Sequence, residues 1–567
     1  MSIIVQSKKW LQSWIVPWFV GGTVFFLVAS TASHYGVTWD EPGYFHATEL
    51  EIQWFADFGK NLLAGRVAES IGDDTIKTAW RWNPSLVPHP PFSRLLSGLT
   101  KAVFSPFMDK FTAYRLAPAL FFALLVTVMY LWMAAVFDRA TGLFSAVSLV
   151  LFPNLFGFAH FAVTDMPLTA MWFLTVYCFW KGLKDWKWSL LLGVVWGLAL
   201  ATKFPAFLIP IPLLLWAHLY HRHSYHNNVF SMVFLSPLVM IACQPYLWHR
   251  TPTRVAEFIL ASVSRAYSIK TSYTSYFFGQ LYLSSGLPWY YSFFMTAVTI
   301  PETILLLIFV GLIAMAWTKP QREVVVLFLF NAGFILVMGL FPGAVLYDVN
   351  RLMLPVLPFL AGIAGAGFFF LTRWLIEHSQ RIMMLQRVKY LRAKLIGTVS
   401  LLVLFPPAFD LMVYHPFELS YYNRLVGGIR GAYERGLEVT YFMEAFTPKF
   451  IKYLNEELPR NAVINASISN FMFEYYQKEN RLRRDIRITD KEDFDYYILL
   501  VRQSTFSKFE RDWFTTIPHP YDAFRFDGVP LIMIYKENNR IGEKLSALHS
   551  TWRASIIIRP DLSSSDP

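Results

Sequence analysis

An acidic pair, Asp40-Glu41, lies shortly after the first long apolar segment of the chain, residues 14–33. That segment carries no charge and is about as long as a helix must be to cross a bilayer. Aromatic residues and a turn surround the pair in the sequence Thr38-Trp39-Asp40-Glu41-Pro42-Gly43-Tyr44. A carboxylate held at a membrane surface can act as a general base. Asp40 is therefore a candidate base for a reaction between a lipid-borne donor and an acceptor that arrives from the water.

Three further charged residues lie where apolar segments begin or end, namely Asp165, Lys203 and Arg351. Burying an ionisable group near lipid is costly, so Asp165 is a functional candidate; its alternative role, shared with Thr164, is to cap the helix that follows. Cations at such positions are often snorkelling anchors. The positive-inside rule nevertheless disfavours cations on the extracytoplasmic side, which is where the orientation derived below places these residues. A phosphate bound at the membrane surface would explain both Lys203 and Arg351.

A histidine joins this set of residues. Prolines flank His89 on both sides and predict a rigid turn, although an ordinary loop histidine fits the same pattern. Together, two carboxylate sites, a histidine and two cations suit an anionic lipid-phosphate donor. The cations would stabilise the charge of the departing phosphate, and one carboxylate would deprotonate an acceptor hydroxyl. With one base and no covalent intermediate, the attack would invert the sugar carbon.

Composition predicts that these residues sit on a membrane protein. The 567 residues are 55% hydrophobic and 16% charged, whereas soluble proteins carry nearer a quarter charged residues. The aromatic fraction of 18% fits belts of Trp and Tyr at two interfaces. The formal net charge of +11 indicates basic cytoplasmic loops rather than a nucleic-acid partner. Cys178 and Cys243 both lie in apolar runs, which disfavours a disulfide framework or a zinc cluster.

Apolar runs predict about eleven membrane spans. They lie near residues 14–33, 115–137, 142–163, 166–182, 188–202, 204–220, 228–247, 290–317, 323–342, 352–372 and 395–413. Basic residues gather at the N-terminus and in every second connection, which places those parts in the cytoplasm. The loops 34–114 and 248–289 and everything after residue 414 then face the opposite side. The alternative for residues 1–33 is a signal peptide, but the apolar run is longer than usual for one, so an uncleaved span is preferred.

The chain is predicted to contain two domains. Residues 1–413 form the transmembrane domain, with the long outer loop 34–114. Residues 414–567 carry more charge and alternate β-rich runs at 462–464, 496–501 and 531–535 with helix-like runs at 448–458 and 470–478. Residues 563–567 read as a frayed end. The predicted fold class is therefore mainly α, a polytopic transmembrane helical bundle of about eleven spans with a C-terminal extracytoplasmic α/β domain.

The order of these motifs resembles that of the polytopic GT-C glycosyltransferases. The resemblance is carried by the Asp40-Glu41 pair after the first span, His89-Pro90-Pro91, Thr164-Asp165-Met166-Pro167, Gly197 to Lys203, and Arg351 to Pro358. The most similar subgroup is glycosyltransferase family 39, with its protein O-mannosyltransferases and aminoarabinose transferases. The segment His415 to Asn423 is similar to a stretch that follows the last span of many bacterial members.

This resemblance implies a polyprenyl- or dolichyl-phosphate-linked sugar as donor and a protein, lipid or glycan hydroxyl as acceptor. It implies an inverting transfer on the extracytoplasmic face of a membrane, the bacterial inner membrane being the expected one. Membrane lipids are the other expected partners. Many members act without a catalytic metal, so neither a metal nor any cofactor besides the donor is expected. The sugar and the acceptor are not identified by the sequence.

The resemblance also implies roles for individual residues. In the catalytic set, Asp40 is the general base, Glu41 is its acidic neighbour, and Asp165 orients the acceptor or the base. The donor-phosphate set is Lys203, Arg351, Arg94 and His89, in which Arg94 takes the place of a lysine found in relatives.

Two other classes of function remain open at this point. A transporter or lipid flippase would also need many spans and a few charged residues. Transporters usually place ionisable groups near the bilayer midplane and show two related halves, whereas here the charges lie at one face and no inverted repeat is apparent. A non-catalytic receptor or scaffold would leave Asp40 and the outer cations unexplained. The transferase is therefore the preferred interpretation.

Overall fold

The computed structural model describes residues 2–80, 89–315, 319–341, 344–383, 391–491, 493–516 and 520–536. Helices up to Tyr414 form a bundle, and the segment after it contains a five-stranded sheet with short helices. The predicted fold class, a helical bundle with a smaller α/β region at the C-terminal end, is confirmed. The boundary between the domains at residue 413 stays a prediction, and residues 537–567, including the predicted frayed end, lie outside the described residues.

The bundle is built from eighteen helices in the described part of the chain. In order they are α1 (Ser2–Thr31), α2 (Glu41–Leu63), α3 (Val67–Ile71), α4 (Asp73–Trp80), α5 (Phe92–Phe104), α6 (Lys110–Val136), α7 (Arg139–Val150), α8 (Pro153–Phe158), α9 (Asp165–Gly182), α10 (Trp186–Leu200), α11 (Pro210–Tyr220), α12 (His226–Ala242), α13 (Thr251–Ser272), α14 (Tyr291–Val298), α15 (Glu302–Ala314), α16 (Lys319–Met338), α17 (Leu357–Met383) and α18 (Leu391–Tyr414). An antiparallel hairpin of β1 (Thr274–Phe277) and β2 (Gln280–Leu283) follows α13. Short 3₁₀ turns at Phe204–Leu208 and Arg351–Val356 complete the part that concerns the site.

The bundle has the helices of a membrane protein. Five segments in the described residues are long and apolar enough to cross a bilayer, namely Ile15–His34, Lys110–Val136, Gln321–Met338, Arg351–Ser379 and Arg392–Tyr414. Shorter apolar helical segments are Arg139–Val150, Trp186–Leu200, Phe204–Tyr220, His226–Ala242 and Glu302–Ala314. Every predicted span coincides with one or two helices. The protein is therefore an integral, multi-pass membrane protein, and the count of about eleven spans stays a prediction.

Two of the predicted spans are each divided into two helices. The segment 142–163 falls on α7 and α8, which are separated just before Pro153, and the segment 290–317 falls on α14 and α15, which are separated just before Pro301. Proline has no backbone N–H to donate and its ring obstructs the preceding turn, so it favours the start of a new helix over the continuation of an old one. Hydropathy alone does not detect such breaks because both halves are apolar.

Close helix packing holds the bundle together. Helix α1 packs on α6, α10 packs on α9 and α12, and α15 packs on α17. In the last pair, a Cβ on Gly367 would collide with the carbonyl oxygen of Leu307, and one on Gly311 with that of Ile363. Small residues let two helix backbones approach closely, which is how helices gain contact inside a membrane.

The C-terminal region has an α/β architecture. Its elements are α19 (Gly428–Glu434), α20 (Pro448–Glu457), β3 (Val463–Asn465), α21 (Asn470–Lys478), β4 (Arg487–Ile488), β5 (Tyr496–Leu500), α22 (Lys508–Thr516), β6 (Asp522–Phe526) and β7 (Val529–Lys536). The strand order is β4-β3-β5-β7-β6. Strand β3 runs parallel to β4 and β5, and β7 runs antiparallel to β5 and β6. The three β-rich runs and two helix-like runs predicted from the sequence coincide with β3, β5, β7, α20 and α21.

This region packs directly on the loop that precedes α2. The amide of Val37 donates to the Tyr476 hydroxyl at 2.7 Å, and the amide of Trp39 donates to the Phe442 carbonyl at 3.2 Å. Val37 also belongs to the same buried apolar cluster as the centre of the C-terminal sheet. Val37 and Trp39, in the loop before Glu41, are therefore held by the C-terminal region.

The buried Glu438 gives the folded protein a pH-dependent stability. Its carboxylate accepts a hydrogen bond from the Ser504 amide at 3.0 Å, and burial raises its pKa from 4.5 to about 7. The native state then keeps a proton that the unfolded chain releases, so stability falls as pH rises from about 4.5 to about 7 and is level above that. We expect Glu438→Gln to remove about 1–3 kcal/mol of this fall, measured as thermal unfolding of purified protein between pH 5 and pH 8.

The exposed Glu474→Gln variant is the control for this experiment and should keep the wild-type pH dependence. A slope that persists unchanged in Glu438→Gln would show that another group causes it.

Candidate active site

The guanidinium of Arg351 joins three carboxylates at one end of the bundle. Nη2 donates to Asp165 at 3.1 Å and also to Asp40, and Nη1 donates to Asp348 at 3.1 Å. The Phe442 ring lies against the cation, with its centroid 4.1 Å from Cζ. The side chain is buried, so the three carboxylates are what allow a charge to remain there. Arg351 thus connects the loop before α2, the start of α9 and the turn that directly precedes Arg351.

Lys203 completes the convergence of the residues singled out in the sequence. Its Nζ donates to Asp165 Oδ1 at 2.9 Å. Because α10 ends just before Lys203 and α9 begins at Asp165, two packed helices that run in opposite directions bring these residues to the same end of the bundle. Asp40, Asp165, Lys203 and Arg351 therefore form one connected ion-pair cluster.

The carboxylate of Asp165 does not cap its helix. The N-cap residue of α9 is Thr164, whose side chain makes no capping bond, and the two oxygens of Asp165 are bound by Lys203 and Arg351. The capping role that the sequence offered as an alternative for Asp165 is therefore not seen in the structure. The carboxylate instead holds two cations next to each other.

Asp40 is the most accessible carboxylate of the cluster. It is the N-cap residue of α2, yet its side chain makes no capping bond. The exposed fraction of its side chain is 21%, compared with 3% for Asp165 and 5% for Asp348. Asp40 is therefore the one of these three carboxylates that a reactant reaches most easily, whereas the other two are enclosed.

Two members of the cluster, Asp348 and Arg502, were not identified from the sequence. Asp348 Oδ1 accepts a hydrogen bond from Arg502, which follows strand β5, at 2.7 Å. Burial raises the pKa of Asp348, and the neighbouring cations Arg502 and Arg351 oppose that rise. The position of Asp348 three residues before Arg351 was a usable signal. Arg502 gave none, because nothing local in the sequence brings a strand end of the C-terminal region to the bundle.

His89 and Arg94 lie on a second loop beside the cluster. The His89 ring faces Tyr44, with centroids 6.1 Å apart, and burial together with the cations Arg265 and Lys203 lowers its pKa well below the usual value. Arg94 donates to the His89 carbonyl at 2.7 Å and to Glu51 at 3.2 Å. Arg94 therefore holds the loop that carries His89. Its donor-phosphate contact stays a prediction, and residues 83–88 of the predicted turn lie outside the described residues.

Glu41 has a different environment from its neighbour Asp40. Both carboxylate oxygens are bound by Arg115, at 2.9 and 2.7 Å, and the amides of Thr38 and Ala162 donate to them at 3.0 Å. The side chain is fully buried. These contacts fasten the loop before α2 to α6 and favour a structural role. The catalytic role implied by the resemblance stays a prediction for Glu41.

An apolar cavity of about 100 Å³ ends at the cluster. Its charged wall consists of Asp165, Lys203 and Arg351. Its apolar walls come from α9, from the turns at 204–208 and 351–356, and from α16, with the residues Leu168, Trp172, Pro205, Leu208, Phe334, Ile335, Met338, Leu352 and Pro355. Met338 is 40% exposed, so the cavity reaches the outer surface of the bundle. The cavity combines an apolar lining with a charged end, and it is smaller than the pockets of about 300–1,000 Å³ that enclose a whole small molecule.

Within the described ranges, no group of three or more His, Cys, Asp and Glu side chains is arranged to hold a metal ion. That the chemistry needs no metal stays a prediction.

Residues 88–249 match the sequence model of a family described as dolichyl-phosphate-mannose-protein mannosyltransferase. The matched segment contains His89, Arg94, Asp165 and Lys203. It confirms the predicted resemblance to GT-C glycosyltransferases. No curated protein was found to match the chain.

Two solved proteins are among those that structural comparison matched to this chain. ArnT from Cupriavidus metallidurans, in a structure bound to undecaprenyl phosphate, is 13% identical over 93% of this chain and 98% of that one, with a TM-score of 0.48. The apo form of the Archaeoglobus fulgidus oligosaccharyltransferase is 11% identical over 83% of this chain and 60% of that one, with a TM-score of 0.45.

The structural role of Glu41 can be tested by Glu41→Gln. Breaking a buried ion pair leaves Arg115 without a counter-charge, so we expect a loss of about 3–5 kcal/mol of stability, measured as a lower thermal unfolding midpoint in detergent. The matched control is Glu377→Gln, which removes an exposed partner of Arg373 at 3.0 Å and should change little. A Glu41→Gln protein with wild-type thermal stability but no activity would instead support the catalytic role.

Proposed function

We propose that this protein is an inverting glycosyltransferase that uses a polyprenyl- or dolichyl-phosphate-linked sugar. The observation that carries the proposal is the apolar cavity whose charged end consists of Lys203, Arg351 and Asp165, with Asp40 bound to the same Arg351. Such a transfer needs an apolar surface for the lipid next to the phosphate, cations for the phosphate and a base, and this arrangement brings the three together. The acceptor is a hydroxyl of a protein, lipid or glycan.

The donor phosphate is assigned to Lys203 and Arg351. Arginine binds phosphate with two parallel hydrogen bonds and lysine adds a compact charge. The Nε of Arg351 is buried and has no hydrogen-bond partner in the described part of the chain, so one donor of this cation is unpaired. The family matched by residues 88–249 is named for dolichyl-phosphate-mannose, which agrees with a lipid-phosphate donor.

Asp40 is assigned as the general base. In the structure its carboxylate is bound by Arg351, so the donor phosphate and Asp40 compete for one guanidinium. Phosphate binding would release Asp40 to accept the proton of the acceptor hydroxyl. The acceptor oxygen then bonds to the sugar carbon from the face opposite the phosphate, and the bond between that carbon and the phosphate oxygen breaks. Its electron pair stays on the phosphate, where Lys203 and Arg351 stabilise the added charge.

The buried residues around this centre have supporting roles. Asp165 keeps Lys203 and Arg351 together, since one oxygen binds each cation. His89, with its lowered pKa, is assigned as a neutral group beside the donor. Its Nδ1 is buried and has no partner among the described residues. It can therefore exchange a hydrogen bond with the sugar or the phosphate without adding charge.

The position of the charges favours a transferase over a transporter. Asp40, Asp165, Lys203 and Arg351 all lie at the ends of helices or in the turns between them. A transport site at the bilayer midplane would draw on residues in the middle of helices or on broken helices there. We assign the clustered end and the C-terminal region to the extracytoplasmic side because the basic connections lie at the other end. The bacterial inner membrane is assigned from the resemblance of the sequence to bacterial family members.

The base can be tested separately from donor binding with Asp40→Asn. We expect sugar transfer to fall about 100-fold or more, because general base catalysis contributes about that much. Binding of undecaprenyl phosphate should be equal or tighter, since a negative charge that competes for Arg351 is gone. Transfer is measured with a panel of labelled polyprenyl-phosphate sugars, and binding by titration of protein in nanodiscs.

Asp57→Asn, an exposed change on the same helix α2, is the control and should alter neither measurement. Asp40→Asn with normal transfer would remove Asp40 from the base role.

The phosphate contacts can be tested by Lys203→Met and Arg351→Met. We expect each change to weaken the binding of undecaprenyl phosphate about 10-fold or more, because a hydrogen bond to a charged group contributes about 1.5–3 kcal/mol. Binding of the uncharged alcohol undecaprenol should stay the same. The control is Lys184→Met, which changes an exposed lysine in the turn that follows the opposite end of α9. Equal affinity of wild type for phosphate and alcohol would contradict a phosphate site.

A further inference from the structure

The turn that carries Arg351 has an unfavourable backbone conformation. Asp348 and Val349 have φ angles of +55° and +56°. Positive φ is uncommon outside glycine and is a genuine outlier for a β-branched residue such as valine. Such a conformation persists only where its surroundings hold it, and it is characteristic of functional sites.

Neighbouring elements of the bundle hold the second half of this turn. The Tyr291 hydroxyl donates to the Val349 carbonyl at 3.2 Å. The Asn350 side chain donates to Thr299 at 2.8 Å and accepts from Asn154 at 2.9 Å. These are contacts between neutral groups, and none of them neutralises the carboxylate at the start of the turn.

Arg502, from the C-terminal region, neutralises part of the negative charge of Asp348. Arg502 donates to Asp348 Oδ1 at 2.7 Å, while Arg351 donates to Oδ2 at 3.1 Å. The side chains of Asp348 and Arg502 are 5% and 8% exposed, so water screens this pair little. Arg502 also lies over the ring of Trp39, at 5.8 Å from its centroid, and Trp39 directly precedes Asp40. Arg502 therefore contacts both the loop that carries Asp40 and the turn that carries Arg351.

We infer that Arg502 is a positioning residue of the active site, which acts through Asp348 on Arg351. This inference rests on the proposed function. While Arg502 neutralises one oxygen of Asp348, Arg351 needs to satisfy only the other, and its second Nη group is directed at Asp165 and Asp40. Without Arg502, Asp348 becomes a buried carboxylate with Arg351 as its remaining cation. The guanidinium is then drawn toward Asp348 and away from the donor phosphate.

A compensation experiment distinguishes this role from simple attachment of the C-terminal region. The variants are Arg502→Gln, Arg502→Lys and the double variant Asp348→Asn with Arg502→Gln, all in the full-length protein in nanodiscs. The probe is undecaprenyl phosphate, with undecaprenol as the uncharged reference. If Arg502 acts by neutralising Asp348, an asparagine at 348 needs no cation, so the double variant should recover function that the single variant lost.

We expect Arg502→Gln to weaken phosphate binding at least 10-fold and the double variant to return to within about 3-fold of wild type. Arg502→Lys should lie between them. The matched control is Arg483→Gln, which removes another arginine of the C-terminal region, one bound to the Asn455 and Leu458 carbonyls at 2.8 and 3.0 Å. It should leave phosphate binding unchanged. The thermal midpoint of each variant reports whether it is folded.

A double variant no better than Arg502→Gln would overturn the inference, as would wild-type affinity in a folded Arg502→Gln protein. If Arg502→Gln does not fold but the double variant does and binds, the charge argument is supported. Wild-type protein that binds undecaprenol as well as undecaprenyl phosphate would overturn the proposed function and this inference with it. Because that comparison uses only the wild-type protein, a failure of the proposed function is distinguished from a failure of the inference about Arg502.

Discussion

The structure of the site depends on one buried cation shared by three carboxylates. Arg351 is enclosed by the bundle and the Phe442 ring, where an unpaired charge would be very costly. Each carboxylate comes from a different part of the chain, so the cost of leaving Arg351 unpaired fixes the relative positions of those parts. The same sharing makes the cation available for chemistry. No single carboxylate holds it alone, and a phosphate can replace one partner while the others remain.

Adjacent residues in one loop divide two tasks between them. Glu41 is fully buried and bound by Arg115 and two backbone amides, so it anchors the loop. Asp40 is partly exposed, makes no capping bond and has Arg351 as its partner. A base must be reachable, whereas the anchor that positions it must not move. Placing both carboxylates side by side, one buried and one partly exposed, meets both requirements with a single turn at the start of α2.

The sequence was informative where function coincides with the ends of apolar segments. Asp40, Asp165, Lys203 and Arg351 were identified because charges at span ends are conspicuous and because spans that alternate in direction bring every second end together. The breaks before Pro153 and Pro301 were missed because hydropathy is insensitive to hydrogen bonding. The pairing of Glu41 with Arg115 was missed for another reason. Arg115 lies at the edge of an apolar run, and its partner is distant in the chain. Arg502 was out of reach because it depends on how the C-terminal region packs on the bundle.

The charges of the cluster explain why the proposed base and the proposed phosphate site belong together. Among its paired side chains, Asp40, Asp165 and Asp348 balance Lys203, Arg351 and Arg502. A donor phosphodiester adds one negative charge to this balanced set. When the acceptor proton moves to Asp40, that carboxylate becomes neutral as the departing phosphate gains a charge. The total charge of the enclosed site is then unchanged during the transfer, and the negative charge moves from Asp40 toward Lys203 and Arg351. In a water-poor environment, where separated charges interact strongly, a base that lies beside the cations of the leaving group lowers the free-energy cost of that movement.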